Sequence, residues 1–252
     1  MTTSTTLIFG GSGKVARHLT RLLCAEGQTV HSIIRNPDQI PSIKSLGANP
    51  IVQSIETSSV ADLIATIKST QPSTIVWAAG AGAGSPERTE KVDHEGAVKC
   101  MDATAGAGVT KRLIVISAVD VRDRESRGEP EWYDEGDRER SRRVWAAIGP
   151  YMRAKFAADR DLVVRNSERG LEYTIVRPGG LSQEPGKGTI AAGKVHLDKM
   201  ISREDVAQAV VEIMKNDGTK GLAIDMVGGD TPIKDAIAEV AREKIDTFAE
   251  RY

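Results

Sequence analysis

The sequence predicts an α/β protein in which a doubly wound, mostly parallel sheet lies between two helical layers, a three-layer α/β/α arrangement. Short apolar runs rich in isoleucine and valine alternate with longer amphipathic segments along almost the whole chain. Such runs are typical of parallel strands buried on both faces, and the strand-helix alternation implies right-handed crossovers. A glycine-rich turn joins the first run to the first amphipathic segment, which is also typical of this class.

Seven runs have the length and composition of buried strands; they are residues 6–10, 29–34, 50–53, 73–79, 112–118, 173–179 and 222–229. Helices are predicted between and after them, at about 14–26, 37–46, 58–69, 86–107, 149–169, 203–215 and 232–248. Glycine follows three of these helices, at Gly27, Gly108 and Gly170. A glycine in this position allows the left-handed residue that commonly ends a helix.

The composition is that of a globular protein without a strong overall charge. The chain has 252 residues, of which 40% are hydrophobic and 27% charged, and its formal net charge is −1 at pH 7. It therefore lacks the basic field that attracts nucleic acid or an anionic membrane, and we expect neither as a partner. Cys24 and Cys100 lie far apart, so the sequence predicts neither a disulfide framework nor a metal site.

The first residues, MTTSTTLIFGG, lack the basic and apolar regions of a secretory signal, and no apolar run approaches the roughly 18 residues of a membrane span. We therefore expect a cytoplasmic protein that acts on a small-molecule substrate. The oligomeric state, monomer or homodimer, is left open by the sequence.

No linker or repeat divides the chain, so a single domain is predicted over residues 1–252, with substrate-side segments at about 120–145 and 180–200. Residues 120–143 contain nine acids and seven arginines around Trp132 and Tyr133. Their composition is that of a solvated loop with some helix. Their position after the fifth strand also allows a substrate-binding role, because open α/β sheets bind ligands beyond the carboxyl ends of strands.

The segment LIFGGSGKVARHLTRLL is a strand, a glycine turn and an amphipathic helix, with Gly10, Gly13 and Ala16 spaced three residues apart. The glycines allow positive φ and close approach of the backbone to a ligand. The start of the following helix presents unpaired N–H groups to a pyrophosphate. The turn, with Ser12, Lys14 and Val15, is therefore predicted to bind a dinucleotide rather than to be only a structural turn.

The end of the second strand indicates which dinucleotide is bound. An acid at this place would bind the ribose hydroxyls of NAD, whereas a cation accommodates the 2′-phosphate of NADP. The strand ends at Arg35 and Asn36. NADP(H) is therefore favoured over NAD(H). Lys14 either adds a second charge at that phosphate or is a solvated lysine in the first helical turn.

Several segments, taken together, resemble an atypical short-chain dehydrogenase/reductase with a Rossmann fold. The closest similarity is to the NAD(P)H-binding group related to NmrA-like proteins and flavin/biliverdin reductases. The segments are the glycine turn at 10–16, Arg35, VWAAGAG (76–82), VDHEG (92–96), LIVISAVD (113–120), YMRAK (151–155), LEYTIVRPGGL (171–181), SREDVAQAV (202–210) and VGGDTPI (227–233).

The resemblance implies positions for the cofactor and the substrate. Ala78, Ala79 and Gly80 match residues beside the adenosine. Ser54 and Ile55 match positions near the adenine, and Pro178 with Gly179 matches the turn that passes the nicotinamide amide. Ser117 matches a serine that hydrogen-bonds a substrate carbonyl. Within VDHEG, Asp93 and His94 are interpreted as structural.

Tyr151 and Lys155 are four residues apart in a predicted helix, so they share one face. On spacing alone they are either a catalytic pair or a packing tyrosine beside a solvated lysine. The family resemblance implies the catalytic pair, with cofactor contacts from Ser117, Tyr151 and Lys155. In reduction Tyr151 would donate the proton, Lys155 would lower its pKa and orient the cofactor, and Ser117 would bind the carbonyl oxygen.

The sequence thus predicts an NADP-dependent oxidoreductase that reduces a carbonyl or another polarised double bond of a small metabolite. Two other hypotheses are kept. One is an isomerase, epimerase or dehydratase that retains its cofactor or uses the tyrosine only as acid and base. The other is an NADP-responsive regulator without turnover.

Overall fold

A computed structural model describes residues 4–82 and 84–252 of the chain. Within these ranges the strands are β1 (Thr5–Phe9), β2 (Thr29–Ile34), β3 (Asn49–Val52), β4 (Thr74–Trp77), β5 (Arg112–Ile116), β6 (Glu172–Pro178), β7 (Leu181–Ser182), β8 (Thr189–Ala192), β9 (Ile201–Ser202), β10 (Leu222–Gly228) and β11 (Thr231–Pro232). The α-helices are α1 (Lys14–Ala25), α2 (Ile40–Lys44), α3 (Val60–Thr70), α4 (Pro86–Thr89), α5 (Ala97–Ala107), α6 (Glu135–Val164), α7 (Asn166–Arg169), α8 (Arg203–Lys215) and α9 (Ile233–Glu243).

In the part of the chain that the structure describes, nine strands form one sheet in the order β11-β8-β10-β6-β5-β4-β1-β2-β3. The seven strands from β10 to β3 are parallel, and β8 and β11 add an antiparallel edge. After β3 the chain crosses to the other side of β1, so a crevice opens beyond the carboxyl ends of β1 and β4. In doubly wound sheets this reversal marks the ligand site.

Each face of the sheet carries its own apolar core, because side chains alternate along each strand. In β1, Ile8 packs into one core, whereas Leu7 and Phe9 pack into the other. The first core holds the buried faces of α1, α8 and α9, and the second holds those of α3, α5 and the carboxyl-terminal half of α6. The predicted doubly wound α/β fold, with its three layers, is confirmed.

The predicted start of the fifth helix, at residue 149, is wrong. Helix α6 begins at Glu135, and Asp134 and Asp137 form a reciprocal capping box at its start. The helix bends at Ile148, where φ is −129° and ψ is 32°. Pro150 lacks the N–H that would bond the carbonyl one turn earlier, so the bend falls beside it. The short strands β7, β8, β9 and β11 also lie outside the predicted runs. Gly27, Gly108 and Gly170 all have positive φ, as predicted.

Among the described residues, no helix is both long enough and apolar enough to cross a membrane. A π-helical turn at Glu90–Gly96 separates α4 from α5, within the predicted helix 86–107. Such turns occur frequently at functional sites. It holds Asp93 and His94 of the VDHEG segment.

Candidate active site

The glycine-rich turn brings the start of α1 close to the residues after β4. Gly10 has a φ of +78°, and a Cβ atom there would lie 2.5 Å from the Cα atom of Ala79. Glycine is required at this position for both reasons. Gly13 is the N-cap of α1 and has no side chain to occupy the first N–H groups of the helix. These groups, at the positive end of the helix dipole, fit a pyrophosphate.

A cavity of about 340 Å³ lies beside this turn. Nine predicted cofactor residues line it: Gly10, Ser12, Gly13, Arg35, Asn36, Ile55, Ala78, Ala79 and Gly80. Lys14 lines a separate groove with Ser182 and Arg203. Val15 and Ser54 lie outside both. The first N–H groups of α1 are free of a side-chain cap, and the backbone at Gly10 closely approaches Ala79. Together with the residues that line the cavity, these features fit the adenosine and pyrophosphate part of a dinucleotide.

An acid also lines this cavity, and sequence reasoning missed it. Glu56 accepts a hydrogen bond from Nη1 of Arg35 at 2.8 Å and one from Nε of Arg88 at 3.2 Å. Burial raises the pKa of Glu56, but the bonds from the two arginines outweigh it and leave the pKa lowered. The signal in the sequence was an acid directly after Ile55, in the segment that follows the third strand. The cavity therefore offers two cations and one carboxylate.

A second cavity, of about 410 Å³, lies beyond the carboxyl ends of β5 and β6. Four predicted residues line it: Ser117, Tyr151, Pro178 and Gly179. Most of the other lining side chains are apolar, and they include Val144, Ile148, Met152, Leu181 and Val227. Both predicted substrate-side segments contribute, the first through Arg140 and Arg143 and the second through Leu197 to Met200.

Lys155 lies beneath this cavity, next to Tyr151 but hidden from solvent. Its Nζ atom is 5.7 Å from the centroid of the Tyr151 ring, and its residue is 4% exposed. The ammonium pairs with Oδ1 of Asp93 at 3.0 Å and donates to the carbonyl oxygen of Ile116 at 3.3 Å. Asp93 is fully buried, and its other oxygen accepts the N–H of Ala81 at 2.8 Å. Asp93 therefore joins the π-turn, the cofactor-side turn after β4 and α6.

The positive charge of Lys155 acts to lower the pKa of Tyr151, as expected, but it does not determine the net shift. Burial of the phenol raises the pKa of Tyr151 and outweighs the positive charge of Lys155, while Asp93 and Asp159 raise it further. Burial also lowers the pKa of Lys155, but the Asp93 carboxylate outweighs burial and leaves that pKa raised. Near neutral pH the phenol is therefore protonated and the lysine charged.

Ser117 is hydrogen-bonded to a buried acid that the sequence analysis did not single out. Its hydroxyl donates to Oδ2 of Asp159 at 2.6 Å, and both residues are buried. Tyr151, Lys155 and Asp159 follow one another at intervals of four residues in α6, so they share one helix face. Burial raises the pKa of Asp159 to about 6, although Arg177, Ser117 and Lys155 each act to lower it.

Arg177, in β6, lies near Asp159 and forms an ion pair with a second buried acid. Its Nε atom pairs with Oδ1 of Asp225 at 2.9 Å, and its Nη2 atom donates to the carbonyl oxygen of Val121 at 2.6 Å. Both charged residues are buried. Burial raises the pKa of Asp225 to about 6 against the opposing charge of Arg177. The arginine thus ties β6 and β10 to the segment after β5.

A histidine-carboxylate contact joins the two segments that flank the second cavity. Nδ1 of His196 lies 2.6 Å from Oδ2 of Asp137, and Oδ1 of Asp137 accepts the N–H of Leu197 at 2.7 Å. Asp134 completes a group that could hold a metal ion. The oxygens of Asp137 already accept these bonds, so we interpret the group as a latch between α6 and the 193–200 loop.

The latch predicts a small pH dependence of stability. The hydrogen bond to Asp137 raises the pKa of His196 above its usual value of 6.5. Charged His196 therefore stabilises the fold at low pH, and this contribution is lost as the pH rises through the raised pKa. The effect is small because the side chain is 56% exposed. Thermal unfolding should show a Tm difference between wild type and His196→Ala that shrinks from about pH 6 to about pH 8. A difference that grows would contradict the latch.

The crevice, the glycine turn and the sheet order define a Rossmann-fold dinucleotide-binding protein. The profile of a family described as NAD(P)H-binding matches residues 10–217, and the chain belongs to that family. The predicted family resemblance is confirmed at this level, and a nicotinamide dinucleotide is the cofactor of the class.

Two sequence relatives and one solved structure illustrate the similarity. UPF0659 protein C216.03 of Schizosaccharomyces pombe is 39% identical over 233 residues, which are 92% of this chain and 93% of the relative. YhfK of Bacillus subtilis, named as an uncharacterized sugar epimerase, is 32% identical over 235 residues, which are 92% and 98% of the two chains. The oxidoreductase ylbE from Lactococcus lactis has a TM-score of 0.76 at 26% identity, covering 94% of this chain and 97% of its own.

Proposed function

We propose that the protein is an NADP-dependent oxidoreductase that reduces a carbonyl, or another polarised double bond, of a small metabolite. The observation that carries this proposal is the second cavity, where Ser117 and Tyr151 meet beside Pro178 and Gly179 with Lys155 buried beneath them. The apolar walls favour a largely apolar substrate. Arg140 and Arg143 also line the cavity, so one end of the substrate can be polar.

In this mechanism, Ser117 and Tyr151 bind the carbonyl oxygen of the substrate. The chemistry that a bound, reduced nicotinamide cofactor would supply here is a hydride for the carbonyl carbon. Tyr151 donates its phenolic proton to the oxygen as negative charge develops there. Lys155 holds a positive charge next to the resulting phenolate and stabilises it. Asp93 keeps the ammonium in place through its 3.0 Å contact.

The raised pKa of Tyr151 supports the direction of the reaction. A phenol that stays protonated near neutral pH is ready to act as an acid, whereas oxidation of an alcohol would need the phenolate as a base. A protonated Tyr151 therefore fits the role of proton donor in reduction. Steady-state assays of NADPH oxidation with a panel of aldehydes, ketones and quinones test this proposal. Turnover without any dependence on Tyr151 would contradict it.

Arg35 is proposed to bind the 2′-phosphate of NADP, with Arg88 beside it. Replacing Arg35 by alanine should weaken NADPH binding about tenfold, the low end for a charged hydrogen bond, because the side chain is exposed. NADH binding should change little. Calorimetric or fluorescence titration with both cofactors measures the effect.

Glu56 provides the matched control for this titration. The Glu56→Gln variant frees both arginines from their carboxylate, so it should bind NADPH more tightly than wild type. Tighter binding of NADH than NADPH by the wild-type protein would instead assign Glu56 to the ribose hydroxyls of NAD and contradict the Arg35 proposal.

A second candidate is an epimerase that retains its cofactor. The observation that favours it is the relationship to YhfK, whose name describes a sugar epimerase. Incubation with UDP-glucose and a trace of cofactor tests it. An epimerised sugar without net oxidation of NADPH would support the epimerase and contradict the reductase.

A further inference from the structure

The hydrogen bond between Ser117 and Asp159 limits what Ser117 can offer a substrate. A hydroxyl group has one proton and two lone pairs. Its proton points at Oδ2 of Asp159 over 2.6 Å, as long as Asp159 is ionised. Only lone pairs then remain for the cavity that Ser117 lines. A substrate carbonyl oxygen also has only lone pairs, so while Asp159 is ionised Ser117 cannot donate to it, and Tyr151 alone binds that oxygen.

Protonation of Asp159 reverses this arrangement. The carboxylic O–H donates to Oγ of Ser117, and the serine proton becomes free to point into the cavity. No covalent bond changes, and the proton of Asp159 is not passed to the substrate. The serine then donates to a carbonyl oxygen. In the ionised state it accepts from an alcohol instead.

The surroundings of Asp159 allow the protonated state. The charged or titratable groups that face it are Tyr151 and Lys155 on α6 and Arg177 on β6. Each cation already has its own carboxylate: Lys155 pairs with Asp93 at 3.0 Å, and Arg177 pairs with Asp225 at 2.9 Å. Two cations thus face three carboxylates, and one proton balances the group.

Asp159 is the carboxyl of the three that gains most from that proton. It is fully buried, and its Oδ1 atom has no hydrogen-bond partner among the described residues. Asp159 accepts a bond from Ser117 but forms no ion pair, and burying an ionised carboxylate without an ion-pair partner is costly. Protonation of Asp93 or Asp225 would break an ion pair, whereas protonation of Asp159 breaks none.

We propose that Asp159 is a positioning residue whose protonation determines whether Ser117 faces the substrate cavity as a hydrogen-bond donor or as an acceptor. The catalytic consequence rests on the proposed carbonyl reduction, but the Ser117–Asp159 pair itself does not. Reduction should therefore weaken as the pH rises through about 6, where the carboxyl loses its proton. The loss in kcat/KM should be roughly two- to tenfold, which corresponds to one hydrogen bond.

The first measurement needs no turnover. Infrared difference spectra of the protein between about pH 5 and pH 8 should contain the C=O stretch of a buried carboxylic acid that titrates near pH 6. The band should disappear in Asp159→Asn and shift in frequency in Ser117→Ala, because the carboxyl loses its serine partner. Asp225→Asn is the matched control, a second buried carboxyl with a raised pKa and no bond to Ser117. Asp225 should contribute a second titrating band, which stays in Asp159→Asn and is lost in Asp225→Asn. If Asp159→Asn loses no titrating band, or if the band that it loses does not shift in Ser117→Ala, the proposal is overturned.

The second measurement follows kcat/KM against pH for NADPH-dependent reduction of phenanthrenequinone. In wild type kcat/KM should decrease as the pH rises through about 6. The amide of Asp159→Asn donates at every pH, so this variant should keep the low-pH value of kcat/KM across the range and show no decrease near pH 6. Ser117→Ala should also show no decrease near pH 6, but its kcat/KM should be lower at every pH. A decrease near pH 6 that persists in Asp159→Asn would overturn the proposal. Absence of all reductase activity in wild type would overturn the proposed function, while the infrared titration would still decide the role of Asp159.

Discussion

Replacing Tyr151 by phenylalanine is expected to lower kcat for carbonyl reduction by roughly 100- to 10,000-fold, the usual contribution of a general acid. The substitution removes one oxygen atom from a half-buried ring and leaves its packing intact. The cavity beside the glycine turn, where we propose that the dinucleotide binds, is lined by other residues, so the dissociation constant of NADPH should stay within about twofold. Steady-state kinetics and a fluorescence titration of NADPH measure the two quantities.

Tyr173→Phe is the matched control for this experiment. Tyr173 is also largely buried, and burial raises its pKa to about 12, but it packs in the core on one face of the sheet, away from the second cavity. Its replacement should leave kcat near the wild-type value. Equal turnover by wild type and Tyr151→Phe would show that Tyr151 is not the proton donor.

Replacing Asp93 by alanine is expected to lower the free energy of unfolding by about 3–5 kcal/mol, because a buried ammonium loses its partner. Asp93 and the side chain of Lys155 are both hidden from solvent, and the N–H of Ala81 also loses its acceptor. Without the carboxylate, burial dominates and the pKa of Lys155 should fall. Urea denaturation at pH 7 measures the loss of stability.

Two variants control this prediction. Asp93→Asn keeps a hydrogen-bond acceptor for Ala81 but loses the charge, so it should lie between wild type and Asp93→Ala. Glu172→Gln removes one carboxylate from Lys220, a partly exposed lysine that pairs with Glu172 at 2.8 Å and with Asp217 at 2.9 Å, and it should cost less than about 1 kcal/mol. A loss in Asp93→Ala no larger than in Glu172→Gln would show that the buried pair does not stabilise the fold.

The sequence predicted the parts of the molecule that depend on local pattern. The seven parallel strands are apolar runs, and the glycine turn is a continuous segment in which Gly10 and Gly13 each have a local reason. The helix before Tyr151 was missed because Gly149 and Pro150 look like a helix start. The capping box of Asp134 and Asp137 was a signal for the true start at Glu135, fourteen residues before the predicted one.

The candidate site was predicted only in part, because its polar partners come from distant segments. Asp93 and Lys155 lie 62 residues apart in the sequence, and Ser117 and Asp159 lie 42 apart. No periodicity relates such residues, so their contacts follow only from the folded chain. One feature of the sequence did indicate Asp159: it lies four residues after Lys155, on the same helix face as Tyr151 and Lys155. The net rise in the pKa of Tyr151 also depends on burial, which the sequence does not state.

We propose that Tyr151 supplies the proton to a substrate in the second cavity to which bound, reduced NADP would supply the hydride. The decisive experiment measures the stoichiometry of NADPH oxidised to carbonyl or quinone reduced, in wild type and in Tyr151→Phe under the same conditions. We predict one NADPH consumed for each hydride-reduced product in wild type and almost none in Tyr151→Phe. A wild-type protein that binds NADPH and oxidises none of it with any member of the panel would contradict the account.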